Sequence, residues 1–277
     1  SVLVADYGTD SIKSIDTTTQ AVTTLIGPDS TNLNYVLDIS SDADYYYTLS
    51  KTYTWSSTVR VCKWDKDSLS APAACNTTSV RYGTALAVFG TEIFVLQTSS
   101  SATYRKVVVL DTSDLALTSK SISYGSGMSW RYYTQDIDVN EVTGDVYLPY
   151  RDSPGTIRAY HRQTDGSYGT TSAYYSQVNS GARFTIGIEE HNGFVYSHGY
   201  YGVSSYGGMK RMVATDDSLS AASTLWGATN YGYQYSGSIA VTDDADIYLS
   251  SNYKYSYSSF RNNKDAVWFW DAAEYGQ

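Results

Sequence analysis

The sequence predicts an all-β chain, a β-propeller of about six blades with mostly four antiparallel strands each, on three observations. A turn bearing an acidic or Gly residue, followed by an alternating strand with a central aromatic, recurs along the chain. The aromatics Tyr47, Phe94, Tyr147, Tyr196 and Tyr248 stand 47, 53, 49 and 52 residues apart. Short alternating runs are separated by Gly, Ser, Asn and Asp, which supply tight turns, and no stretch keeps a helical period. A period near 50 residues holding four short strands suits propeller blades, because a lone meander cannot bury both faces and must stack on its neighbours.

The strands follow in order within one predicted domain, 1–277, with approximate blades at 1–30, 31–80, 81–127, 128–178, 179–229 and 230–277. The first strand of a blade is expected at Tyr35 to Ile39, Ala85 to Phe89, Gln135 to Val139, Phe184 to Ile188 and Ser238 to Val241. The marker strands follow at 44–49, 92–96, 145–148, 193–196 and 246–249. Third strands ending near an acidic residue are expected at Ile12 to Asp16, Val59 to Asp65, Val107 to Asp111, Ile157 to Gln163, Met209 to Asp216 and Val267 to Asp271. Fourth strands show more weakly, at Ala21 to Ile26, Leu117 to Ser123 and Thr170 to Tyr175. Both terminal units show three strands. Either the two ends complete one another or residues beyond this chain supply the missing strands, and a chain beginning at Ser1 without Met is expected to be processed or excised from a longer product.

The stretches Val2 to Gly8 (VLVADYG), Ile12 to Asp16 (IKSID) and Val22 to Gly27 (VTTLIG) resemble the NHL-repeat family, in which such a run forms three strands of one blade. The likeness covers about 26 residues; beyond them only the rhythm of strands and turns persists. It implies a propeller and leaves the activity open, since the family serves protein, RNA and ligand binding as well as some lyase and hydrolase chemistry.

Composition narrows the partners. There are 28 Asp and Glu against 19 Lys and Arg, so the chain repels nucleic-acid phosphate. No apolar run of about 18 residues is present, so membrane insertion is not expected. The 29 Tyr, with abundant Ser and Thr, give a neutral aromatic surface rich in hydroxyls. Cys62 and Cys75 form an even pair flanking the turn at Pro72. The leading reading is a disulfide joining two adjacent antiparallel strands in an extracellular or cell-surface protein, and the alternative is two buried thiols. Asn76-Thr77-Thr78 is a glycosylation sequon in a glycosylating host.

Loops joining second to third strands lie on the same side of a blade as the connections between blades. Those loops carry Tyr53, Trp55, Tyr104, Arg105, Tyr150, Arg151, Tyr201 and Tyr253, and the connections carry Arg81, Tyr82, Trp130, Arg131, Arg183 and Tyr233. Aromatic rings stack on the apolar faces of sugars while Arg and Tyr bond their polar groups. The same residue types enrich protein-binding hot spots, and they also pack on one another to stiffen a rim. His161 is expected in a strand and His191 at a tight turn, Glu189 to Gly193, on the opposite side. His198 is expected to open a loop on the aromatic side, where with Tyr150, Arg151 and Arg183 it resembles the base and uronate-neutralising set of propeller polysaccharide lyases. The acidic runs 41–44 and 242–246 are expected to be turns rather than calcium loops. No phosphate loop, nucleophile motif or metal signature is present, so no cofactor is expected.

The sequence therefore points first to a secreted or surface-displayed, non-enzymatic binding or adhesion module, with an extracellular glycan preferred over a protein as partner. A lyase-like enzyme is the second reading. The third is a structural component of an extracellular assembly or filament, contacting copies of itself or a neighbouring domain.

Overall fold

In the computed structural model the described residues are 1–29, 31–53, 56–99, 101–124, 136–150, 156–169, 173–175, 184–200, 208–213, 223–227, 236–251 and 267–270. They form six small antiparallel sheets, each a meander in chain order. The chain divides into two compact units, one holding the first three sheets together with residues 163–168, the other holding the last three.

In the first unit, β1 (Val2–Asp6), β2 (Ser11–Ile15) and β3 (Val22–Ile26) make a three-stranded sheet. The second sheet is β4 (Val36–Ser41), β5 (Tyr45–Lys51), β6 (Val59–Asp65) and β7 (Ala74–Asn76). The third is β8 (Gly83–Phe89), β9 (Glu92–Gln97), β10 (Lys106–Asp111) and β11 (Leu117–Ser123), with one 3₁₀ turn at Ala102–Tyr104. Side chains alternate across a strand, and in the inner strands β5, β6, β9 and β10 both faces are largely buried, so alternate residues feed two different cores. On β6, Val59 and Val61 pack toward the third sheet with Tyr47, Leu49, Leu86, Ile93 and Val95. Cys62 and Trp64 on the same strand pack toward the first sheet with Ile12, Ile26, Leu33 and Val36. Each such fully buried aliphatic chain contributes about 1.5–3 kcal/mol. Residues 163–168 return to this unit, where Tyr168 meets the Phe94 ring edge-on at 5.7 Å.

In the second unit the sheets are β12 (Asp138–Val139), β13 (Val146–Tyr150), β14 (Thr156–Tyr160) and β15 (Ala173–Tyr175); β16 (Phe184–His191), β17 (Phe194–Tyr200), β18 (Gly208–Val213) and β19 (Ser223–Gly227); and β20 (Ser236–Val241), β21 (Ile247–Ser251) and β22 (Val267–Trp270). Here β16 packs on β12 and β13, and β20 packs on β16. Tyr196, Ile239, Val241, Ile247 and Leu249 fill the space between the last two sheets.

Buried carboxylates stitch neighbouring sheets. Asp38 on β4 accepts the Leu86 N–H of β8 at 2.7 Å through Oδ2 and its neighbour's Ile39 N–H at 2.9 Å through Oδ1. Asp136 repeats the pattern with Ile188 of β16 and with Ile137, and Asp138 accepts the Glu190 N–H. Each of these cross-sheet bonds spans about one blade of sequence, 48 or 52 residues. Burial pushes Asp38 up to about 7; burial, with the Glu190 and Glu141 charges, pushes Asp138 up to about 8. Burial also raises Glu189 and Glu190, Glu189 further through Asp138, Asp136 and Glu141.

Strands and sequence expectations agree closely at β6 and β11 and differ elsewhere in instructive ways. The three-residue β7 and the outer strand β19 escape the pattern, because neither has enough residues or alternation to stand out. The β17 strand continues to Tyr200 through a bulged pairing with β16, in which Gly199 faces Thr185 and Tyr200 faces Phe184, so His198 lies inside a strand rather than opening a loop. His191 is the last residue of β16, and only Asn192-Gly193 turn. Both have positive φ, 51° and 78°, as a two-residue hairpin of the primed type requires. His161 falls just past β14, its Nδ1 3.1 Å from Asp145 Oδ2. The Cys62–Cys75 disulfide is present, joining directly paired residues of β6 and β7 with Cα atoms 4.1 Å apart.

Candidate ligand-binding face

In an antiparallel meander the connection after the second strand returns to the end where the first strand starts. In the first unit this brings the described residues 7–10, 52–53, 56–58, 98–99 and 101–105 to the same side as 27–29, 31–35 and 77–82. Hydrogen bonds fasten them together. Tyr35 N–H donates to Asp10 Oδ1 at 2.7 Å, tying the second sheet to the first. Tyr82 N–H donates to the Ser57 carbonyl at 2.6 Å, tying the third sheet to the second. The carbonyl of Tyr35 accepts from Lys51 N at 3.2 Å, and that of Tyr82 from Thr98 N at 2.8 Å. Gln97 Nε2 donates to the Arg81 carbonyl at 2.7 Å, holding the third sheet's connection from inside.

The side chains of this side include Tyr7, Tyr53, Arg81 and Tyr82, all exposed. Tyr82 and Tyr104 sit with ring centroids 5.0 Å apart and tilted by 54°, and Tyr7 and Tyr35 make a second pair at 5.9 Å and 47°. Arg105, beside Tyr104, turns its Nε to the Ser99 carbonyl at 3.2 Å, which ties Arg105 to the chain just past the end of β9. Burial, with Tyr35 and Asp10 nearby, raises the Tyr7 phenol, so it stays neutral and able to donate a hydrogen bond.

Of the residues expected from sequence, Tyr53, Arg81, Tyr82, Tyr104 and Arg105 lie on this side, with Tyr82 and Tyr104 in direct ring contact. Tyr150 ends β13 and His198 lies within β17. Trp55, Trp130, Arg131, Arg151, Arg183, Tyr201, Tyr233 and Tyr253 lie outside the described residues. Tyr7, Asp10 and Tyr35 escaped the sequence reading. A signal was there to be found: Tyr35 and Tyr82 each stand 12 residues before the marker aromatics Tyr47 and Phe94.

The remaining candidates serve the fold. Asp42 accepts from Asp44 N at 2.9 Å, Tyr45 N at 2.7 Å and Tyr47 O–H at 2.7 Å, an acid-capped turn. The run 242–246 closes as a turn through Thr242 N to the Asp246 carbonyl at 3.0 Å. Among the described residues no three His, Cys, Asp or Glu side chains are grouped to hold a metal ion. Asn76 is half-buried; its Nδ2 donates to the Leu115 carbonyl at 2.6 Å and its Oδ1 accepts from Thr78 and Ser79, so a glycan there would displace an existing tie to the third sheet.

No protein-family model matches the sequence, and no curated protein does. Solved structures do. Hydrazine synthase of Kuenenia stuttgartiensis matches with a TM-score of 0.55 at 13% identity over 86% of this chain, which spans 63% of that one. A chain of a mitotic checkpoint complex matches with a TM-score of 0.54 at 8% identity, over 95% of this chain and 69% of its own. BamB from Moraxella catarrhalis, at 12% identity over 90% and 74%, reaches a TM-score of 0.47 and adds no weight. The fold is a β-propeller whose six described sheets are its blades, and identities this low extend the likeness no further.

Proposed function

We propose that this propeller is a non-enzymatic extracellular or cell-surface binding module whose aromatic and arginine-bearing side takes a glycan. The observation that carries the reading is the exposed Tyr82 ring, braced by Tyr104 and flanked by exposed Arg81. A tilted aromatic pair offers a fixed apolar surface at little entropic cost, and the exposed Arg81, its neighbour in sequence, can donate to sugar hydroxyls. The disulfide is compatible with an oxidising compartment, and among the described residues no helix is long and apolar enough to cross a membrane. An NHL-type first blade belongs to the same proposal: β1, β2 and β3 fall on the three strands that the likeness of residues 2–27 implies.

A glycan array tests the reading directly. The wild type is expected to be retained on a defined set of polysaccharides, and an Arg81→Ala, Tyr82→Ala double variant to lose that retention while keeping its melting temperature. Retention on no glycan, or equal retention of both proteins, contradicts it.

A further inference from the structure

Tyr35 and Tyr82 occupy the same place in consecutive blades. Each precedes the first strand of its sheet, donates its N–H to the loop of the preceding sheet, and accepts through its carbonyl an N–H at the end of the second strand of its own sheet, Lys51 for Tyr35 and Thr98, one residue past β9, for Tyr82. Each adopts a positive φ, 51° and 56°. That conformation suits Gly and is costly for an aromatic residue, so a fold free to choose would place Gly here. Instead a tyrosine stands at both positions, its ring on the accessible side and paired with a second tyrosine, Tyr7 or Tyr104. A tyrosine kept at positive φ in two equivalent positions, with the Tyr82 ring exposed and the Tyr35 ring half-buried against the exposed Tyr7, sets a tyrosine pair at the same place on two consecutive blades.

We propose that these two tyrosines are one sugar-stacking subsite repeated from blade to blade, and that the side reads a neutral polysaccharide of all-equatorial pyranoses through several such contacts at once. This rests on the glycan reading above and gives it a ligand class and a valency. All-equatorial pyranoses carry C–H groups on both ring faces, so each successive unit presents an apolar surface to a tyrosine. Neutrality follows from charge: at a net −9 the chain repels a polyuronate, and Arg81 serves one subsite rather than a cationic track. Repeated subsites on a repeating ligand multiply effective concentration, so affinity grows with chain length in a way one site cannot produce.

The test is calorimetric titration of the full chain with cellobiose and cellohexaose, using the wild type, Tyr35→Gly, Tyr82→Gly and the double variant. The wild type is expected to bind cellohexaose at least about tenfold more tightly than cellobiose. Each single variant loses most of that length advantage, and the double variant binds neither sugar. Because Gly takes a positive φ freely, melting temperatures are expected to stay within about 3 °C of wild type. A wild type that binds both lengths alike, single variants that bind like the wild type, or variants that lose binding together with a large drop in melting temperature overturn the repeated subsite. Failure of the wild type on cello- and chito-oligosaccharides alike, or binding without length dependence, overturns this inference alone; failure on every glycan of the array overturns the glycan reading and this inference with it.

Discussion

Asp38→Asn isolates the stitch between the second and third sheets, and its effect should change with pH. Asp38 keeps some exposed surface, but its carboxylate is enclosed, and burial lifts it to about 7. A carboxyl whose folded-state pKa is raised is still protonated in the native state where the unfolded chain has already ionised. Stability is therefore full below about pH 4 and falls as pH rises through about 7. Moving a carboxyl from about 4 to about 7 corresponds to about 4 kcal/mol as an upper bound, and the residual exposure brings this to about 2 kcal/mol. For a chain of this size that is about 4–8 °C in Tm. Asparagine does not titrate, but it offers one acceptor where the carboxyl offers two, to Leu86 N–H and Ile39 N–H. It should lose about 1–3 kcal/mol at acidic pH for the N–H left unpaired. Calorimetric melts at about pH 4.5 and about pH 7.5 should thus find the variant clearly less stable at the lower pH and equal to or better than wild type at the higher. An Asn penalty that is the same at both values refutes the reasoning.

Further outcomes follow from other sites. Wild-type Tm should peak between about pH 4 and pH 5: Asp138, Glu189 and Glu190 act with Asp38 above that window, whereas Asp16, Asp29, Asp42 and Asp111, held low, lose their contributions as pH falls below about 4, which a melt series from pH 2 to 8 reads. Reducing Cys62–Cys75, or replacing both by Ser, should cost about 2–3 kcal/mol for so short a loop, with chemical denaturation midpoints as the check and no change expected if the bond is idle. Gly83→Ala would set its Cβ 2.9 Å from Val59 Cγ2 and 3.2 Å from Val95 Cγ1, so about 1–3 kcal/mol should be lost to overpacking; an unchanged midpoint counts against the close packing of β8 on the second sheet. Trp64→Phe removes the 2.9 Å bond from Nε1 to Thr48 Oγ1 inside the core between the first two sheets, and about 1–3 kcal/mol should go with it, measured the same way.

The strands that sequence periodicity locates best are those buried on both faces with a clear alternation. In β6, valines at 59 and 61 and the pair Cys62 and Trp64 go to opposite cores, and its bounds agree with expectation at both ends. The short β7 is held by the disulfide and by pairing with β6 rather than by any pattern of its own, which is why it is silent in sequence. Asp38 and Asp136 were illegible for a different reason. An Asp in a strand reads as a solvent-facing residue, and only the neighbouring sheet reveals that its carboxylate caps an N–H there. The bulge that carries β17 on to Tyr200, and moves His198 into the strand, depends on its partner β16. The aromatic side was legible in part, through residue type and loop position at Tyr82 and Tyr104. The positive φ of Tyr35 and Tyr82 has no compositional mark, since it is Gly or Asn that usually announces such a position.

Saturation-transfer NMR of the wild type with cellohexaose tests the central claim most directly, because it reports which sugar protons touch the protein. Irradiating the protein's aromatic resonances should pass saturation to the ring C–H protons of the sugar, and Tyr82→Ala should weaken the transfer. No transfer to any neutral oligosaccharide, or transfer undiminished in Tyr82→Ala, contradicts a glycan site built on this tyrosine pair.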